Sequence, residues 1–341
     1  MLAAALVLVG WFAADVLLIV FAAILVALFL NGVSAWITRR TGLPYSLSLT
    51  LTCLLLVAGL ALMGLVAAPV LTEQAGQLWQ KVQAGAQAVR DWAQRYAWSR
   101  SLVDQISPSR LLSTGGSIAG TATNALSATF GGLGSFAVIV VIGVFLAANP
   151  GVYAAGVVAL VAPAGRARAT AVLEALATTL RRWLLAQFLS MAVIGLLTTL
   201  GLWILGVPLA VVLGVIAAVL TFIPNLGPIL AAVPALLLAL ADSPTQLLWV
   251  GGLYLAVQLI EGNLTTPLIQ QHTIALPPAL ILATQLLMAG LFGLLGLALA
   301  TPLTAVAMKL IELLYVRDYL ERGFAPPSSG AGKAGRPDAA R

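Results

Sequence analysis

Charge is what this chain has least of. Only 8% of its 341 residues are Asp, Glu, Lys or Arg, against about a quarter in soluble domains. Water must wet a soluble surface, so a chain this poor in charge meets lipid over most of its surface. Cysteine is down to one, Cys53, which excludes a disulfide or thiolate metal framework within the chain. One histidine, His272, builds no metal site alone and reads as a solvated loop residue after Gln270 and Gln271. Lysine is scarce beside arginine, the bias of a GC-rich bacterial genome. No G-x-x-x-x-G-K-[ST], H-E-x-x-H or G-x-S-x-G occurs. That disfavours P-loop ATP hydrolysis, zinc proteolysis and a serine-hydrolase elbow. No cofactor is expected, and the chain does not read as an enzyme.

What is there is apolar. Hydrophobic residues make up 61% of the chain and the mean hydropathy is +1.05. About 20 apolar residues cross a bilayer. Met1 to Gly10 reads as a short hydrophobic segment, interrupted at Trp11 and Asp15, and Val16 to Trp36 as a second. Arg39 and Arg40 follow, then a turn at Gly42 and Pro44 and a third span from Tyr45 to Val70. Gly134 to Ala148 is a fourth span, ended by Asn149 and Pro150. Arg166 to Arg182 is an amphipathic approach helix running into a fifth span, Trp183 to Leu205. Between Trp183 and Met308 there is no Lys or Arg, and the only acids are Asp242 and Glu261. Leu247 to Gly262, Pro277 to Leu299 and Thr301 to Tyr315 complete the membrane part. The expectation is an all-α integral membrane protein of about eight transmembrane helices, with a proline-broken re-entrant hairpin and a long extramembrane amphipathic helix.

That amphipathic helix is Leu71 to Val103, where apolar positions alternate at spacings of four and three. Val89, Trp92 and Tyr96 lie on its stripe and are the expected oligomer contact. The organisation reads as N-terminal transmembrane helices over 1–70 and an extramembrane segment over 71–131. A fourth span and approach helix cover 132–182, the transport core 183–316, and a disordered tail 317–341. Basic residues fall mostly between apolar runs, which is a topology signal rather than a nucleic-acid stripe. Arg39, Arg40, Arg166, Arg168, Arg181, Arg182, Arg317 and Arg322 place their loops and the C-terminus in the cytoplasm.

Two places could carry function. Phe222-Ile223-Pro224-Asn225-Leu226-Gly227-Pro228 interrupts an apolar run with two residues that lack an N–H. Its flanks, about 14 residues or 21 Å each, are too short to cross a core of about 30 Å. A re-entrant hairpin fits, and a proline-kinked, tilted single helix competes with it. Broken helices of this kind often hold transporter substrate sites. The second place is one helix face holding Tyr254, Gln258, Glu261 and Thr265, with Asn263 beside it. Glu261 is costly in a membrane and is a functional candidate by default, although a helix-end position in interfacial water would also suit it. Gly290, Gly293 and Gly296, with Pro302 beyond, read as close helix packing or a hinge.

Phe222 to Pro228 with Ala231, Ala232 and Pro234 resembles the signature of the autoinducer-2 exporter family, also called PerM-type permeases. Gln258-Leu-Ile-Glu261-Gly262-Asn263 followed by Pro267 resembles its next motif. Leu276-Pro277-Pro278 with the three glycines and Thr301-Pro302 resembles its third, and Arg182-Trp183 to Gln187 its approach to the fifth span. Asn31-Gly32 stands where the family usually has Asn-Pro, Gln271-His272 replaces a glycine-containing turn, and the first helix reads as truncated. The resemblance implies secondary transport of small solutes across the bacterial inner membrane. Some members export a quorum-sensing signal and others exchange sodium for protons. It also makes a symmetric homo-oligomer, such as a pentamer, reasonable. The leading expectation is a permease exporting a small polar organic solute. The alternatives are a sodium/proton antiporter using Glu261 and a non-transporting oligomeric membrane scaffold.

Overall fold

The computed structural model describes residues 2–59, 87, 134–265 and 277–321. Among these residues every regular element is helical. Helix α1 runs Leu2–Thr41, α2 Tyr45–Gly59, α3 Gly134–Ala148, α4 Pro150–Ala159 and α5 Arg166–Ile204. Helix α6 is Ala210–Leu220, α7 Leu226–Asp242, α8 Pro244–Ile260 and α9 Pro278–Leu310. By length and composition three stretches could each cross a membrane, Ala14–Thr41, Pro163–Ile204 and Pro278–Val316. A fourth counts if α3 and α4, bent by 87°, form one span. Large apolar side chains stay on the outside, Trp203 at 73% exposed and Leu248 at 76%. In water that surface would be prohibitive; in lipid it is the ordinary outside of a membrane protein. The chain is an all-α membrane protein.

Several sequence expectations need correction. The first two hydrophobic segments form one helix, because nothing between Gly10 and Asp15 breaks one: no proline occurs there and Asp15 simply faces outward. At 1.5 Å per residue that helix is about 60 Å long. Helix also continues through residues 317–321, which the sequence assigns to the tail. Most of the 71–131 segment, with Val89, Trp92 and Tyr96, lies outside the described residues, as do 60–70, His272 and the chain beyond 321.

Polar groups fix how α1 and α2 pair. Ser34 Oγ donates to Thr52 Oγ1 at 3.0 Å and Thr38 Oγ1 to Ser48 Oγ at 2.8 Å. Tyr45 Oη donates to the Ala147 carbonyl at 2.8 Å and also bonds the Asn31 side chain, tying α3 to both. The aliphatic stem of Arg181 passes Gly32, so the basic residues of α1 and α5 gather at one end. Arg168 Nη2 donates to the Leu313 carbonyl at 2.7 Å, bringing the C-terminal helix to the start of α5. The largest core cluster joins Leu18, Ala23 and Leu25 of α1 to Ile139, Trp183, Leu184 and Leu299.

Helices α6 and α7 form a hairpin. Ala217 and Ala231 share one buried cluster, and Ala210, Leu213, Ala235 and Leu238 share another. Val207 and Ala241 line one cavity of about 180 Å³. Positions 217 and 231, 213 and 235, 210 and 238, and 207 and 241 each lie equally far from Pro224 along the chain. Two legs meeting side by side about Pro224 produce that symmetry. A kinked single span would hold 210 and 238 about 40 Å apart. The legs are 11 and 17 residues rather than 14 each.

Helix α9 also folds back on itself. Gly293 has φ 60° and ψ −143°, a conformation open only to glycine, inside an otherwise helical run. Across it, Gln285 Nε2 lies 3.5 Å from Thr301 Oγ1, and Thr304 Oγ1 stands 3.0 Å from Thr284 Oγ1. In a straight helix residues 285 and 301 would stand about 24 Å apart. The sequence divides this region into two spans near Ala300; the structure places the reversal at Gly293. The first leg, 278–292, is about 22 Å long and too short to cross a membrane alone.

Candidate functional site

The two hairpins are built by one device. Each apex is followed three residues later by a glycine that lets the descending leg approach a carbonyl of the ascending leg. A Cβ on Gly227 would overlap the Leu220 carbonyl oxygen, and one on Gly296 would overlap the Met288 carbonyl oxygen and sit 2.7 Å from Phe292 Cβ. Gly290 has open space where a Cβ would go. The three α9 glycines therefore do three different things: Gly293 reverses the chain, Gly296 permits close approach, and Gly290 does neither. Pro302 is buried on the second leg.

At the first apex the broken backbone is repaired locally. Phe222 N donates to Val219 O at 3.1 Å, Ile223 N to Leu220 O at 2.9 Å and Gly227 N to Ile223 O at 2.9 Å. Leu226 N donates to Pro224 O at 2.8 Å. Asn225 takes φ 66°, which asparagine tolerates better than most residues, and its side chain is exposed. Ile223 and Gly227 are buried and Phe222, Pro224 and Pro228 half-buried. Phe222 meets Trp183 edge-on, with ring centroids 5.8 Å apart.

Two glutamines from other helices finish the repair. Gln187 Nε2 of α5 donates to the Thr221 carbonyl at 2.6 Å, and Gln285 Nε2 of α9 donates to the Pro224 carbonyl at 2.9 Å. The second bond joins the two hairpins. Freed carbonyls inside a membrane need such partners, since no water competes for them. The sequence places Gln187 only within a motif and does not single out Gln285, Thr284 or Thr304. A lone glutamine in an apolar run is costly unless paired, and that cost was the available signal.

The second predicted face is only partly assembled. Tyr254 Oη donates to the Ala231 carbonyl at 3.3 Å, so it packs on the first hairpin. Val250 clusters with Ala235 and Ala239, and Val257 with Ala231. Helix α8 thus runs from the hairpin base toward its apex. At that end Gln258 Nε2 donates to Glu261 Oε2 at 3.3 Å, with Gln258 exposed and Glu261 half-buried. Glu261–Thr265 is a wider π-turn, so Thr265 does not keep the α-helical stagger that the four-residue spacing assumes. Asn263 is exposed and donates to Leu259 O at 2.9 Å.

Two fold-back hairpins tied at a buried point, inside an apolar exterior, are the arrangement on which comparison with known proteins bears. Residues 1–315 match the family described as AI-2E family transporter. The chain belongs to the AI-2E family. YueF of Bacillus subtilis is 27% identical over 294 residues, 81% of this chain and 79% of that protein. YrrI of the same organism is 32% identical over 152 residues, 45% of this chain and 43% of that one. Both carry provisional transport-protein names. The AI-2 transport protein TqsA of Escherichia coli is 33% identical over 110 residues, 32% of each chain. AI-2E proteins are transport proteins and not enzymes, so the paired hairpins belong to a bacterial, multi-pass membrane transporter family.

Proposed function

We propose that this protein is a permease of the bacterial inner membrane that moves a small polar organic solute, in the export direction, without hydrolysing ATP. The observation that carries this reading is the Gln285–Pro224 bond. It joins two helical hairpins, each with at least one leg too short to cross a bilayer, so that polar backbone is held at depth. Irregular backbone in that position is tolerated where it is packed by protein or lines a path. On this reading Phe222, Pro224, Asn225, Gly227 and Pro228 form one wall of the path. The α8 end with Tyr254, Gln258, Glu261, Asn263 and Thr265 forms another. The name of TqsA supports a signalling molecule as the solute. Arg39, Arg40, Arg168 and Arg181 gathered toward one end support a cytoplasmic C-terminus. Sodium or proton coupling would act through Glu261. Subunits would associate as a homo-oligomer through Val89, Trp92 and Tyr96.

The test is unbiased efflux. Proteoliposomes are loaded with a bacterial small-metabolite extract and the outside fluid is followed by mass spectrometry, with protein-free vesicles beside them. A small set of polar solutes should leave only the protein-containing vesicles. Identical outside fluids would overturn the permease reading in favour of a scaffold.

A further inference from the structure

We propose that Gln285 and Thr301 form a recognition point for a hydroxyl group of a neutral transported solute. The inference rests on the permease reading and names the chemistry of its substrate. Gln285 is fully buried. Its Nε2 serves the Pro224 carbonyl and Thr301 Oγ1, yet its Oε1, also buried, accepts from nothing. A buried acceptor without a donor is unfavourable and calls for a partner. Thr301, 3% exposed, has the complementary vacancy. Thr304, Thr284 and Thr221 turn their hydroxyl protons onto carbonyls of their own helices. Thr301 makes no such bond, so its proton is free to be donated. One acceptor and one donor side by side match an alcohol, which gives a proton to Oε1 and takes one from Thr301.

Other ligand classes fit poorly. A bare cation wants a cage of oxygens, and the apex carbonyls of residues 219, 220, 221, 223 and 224 are all engaged. An anion wants a counter-charge, and neither apex, residues 222–228 or 290–296, carries a Lys or Arg of its own. Neither apex carries a carboxylate for an ammonium group. Both atoms are closed from solvent in this structure, so a solute reaches them as the Gln285–Pro224 bond opens and the hairpins part.

The test uses tritiated xylitol as a neutral polyol and xylonate as its carboxylate counterpart, in proteoliposomes of the full chain. Wild-type protein should take up xylitol saturably and xylonate far less. Thr301→Val keeps the side-chain shape and spares the Gln285–Pro224 bond; Gln285→Leu removes both amide functions. Each should raise the half-saturating xylitol concentration by about tenfold or more, the scale of one lost hydrogen bond. Size exclusion and thermal unfolding establish that the variants fold, and if Gln285→Leu does not, Thr301→Val decides. Folded Thr301→Val with wild-type xylitol kinetics would mean that the pair holds a buried water only. Xylonate uptake matching that of xylitol overturns the neutral class. Absence of xylitol uptake overturns this inference, while the metabolite-efflux measurement separately decides the permease reading.

Discussion

Gly227→Ala is a one-methyl change whose cost follows from a single contact. The new Cβ would overlap the Leu220 carbonyl oxygen and come within 3.0 Å of the Thr221 nitrogen. Both are backbone atoms, so no side-chain rotation relieves the clash and the two legs must separate. Overpacking of this kind costs about 1–3 kcal/mol. Separation also stretches the 2.9 Å Gly227–Ile223 bond beside the apex, a loss of about 0.5–1.5 kcal/mol. Against these stands a helix-propensity gain of about 1 kcal/mol for alanine. The net expectation is destabilisation by about 2 kcal/mol. Gly290→Ala is the internal control, because it meets open space and should be neutral or stabilising by up to about 1 kcal/mol. Unfolding of each variant in mixed micelles, followed by helical circular dichroism, gives the two free energies. Equal values for the two variants would refute the close-approach geometry of the hairpin.

Gln187→Leu should destabilise the folded protein by about 1–3 kcal/mol on the same assay, because it leaves the buried Thr221 carbonyl without its donor. In a background with Cys53 replaced by serine, Ala210→Cys with Leu238→Cys should cross-link under a short thiol-bridging reagent. A single kinked span would keep those positions about 40 Å apart and give no product. Glu261→Gln should abolish any sodium or pH dependence of solute flux while expression stays normal. Unchanged coupling across pH would remove Glu261 from the mechanism.

The first hairpin was legible because its break is written in residues with unambiguous backbone chemistry, two prolines and a glycine within five positions. The second was not. Its apex has no proline, and Gly293 is one of three glycines at regular spacing, which reads as a packing stripe until the backbone shows which one turns. The merged first helix has a related cause: Gly10 and Asp15 weaken a helix without ending it. The face through Tyr254 and Glu261 assumed an α-helical period, and the π-turn at Glu261–Thr265 changes that period where the candidate residues sit. The tie between hairpins depended on which carbonyl Gln285 would find, a tertiary fact with no local sequence counterpart.

The central claim is that the first apex faces an aqueous path at membrane depth. Asn225 is exposed at that apex, while Val215 is exposed on the apolar leg below it. Each is replaced by cysteine in the Cys53→Ser background and treated in sealed vesicles with a membrane-impermeant thiol reagent. The account predicts that Asn225→Cys reacts and Val215→Cys, facing lipid, does not. Equal reactivity at both positions, or none at Asn225→Cys, would contradict it.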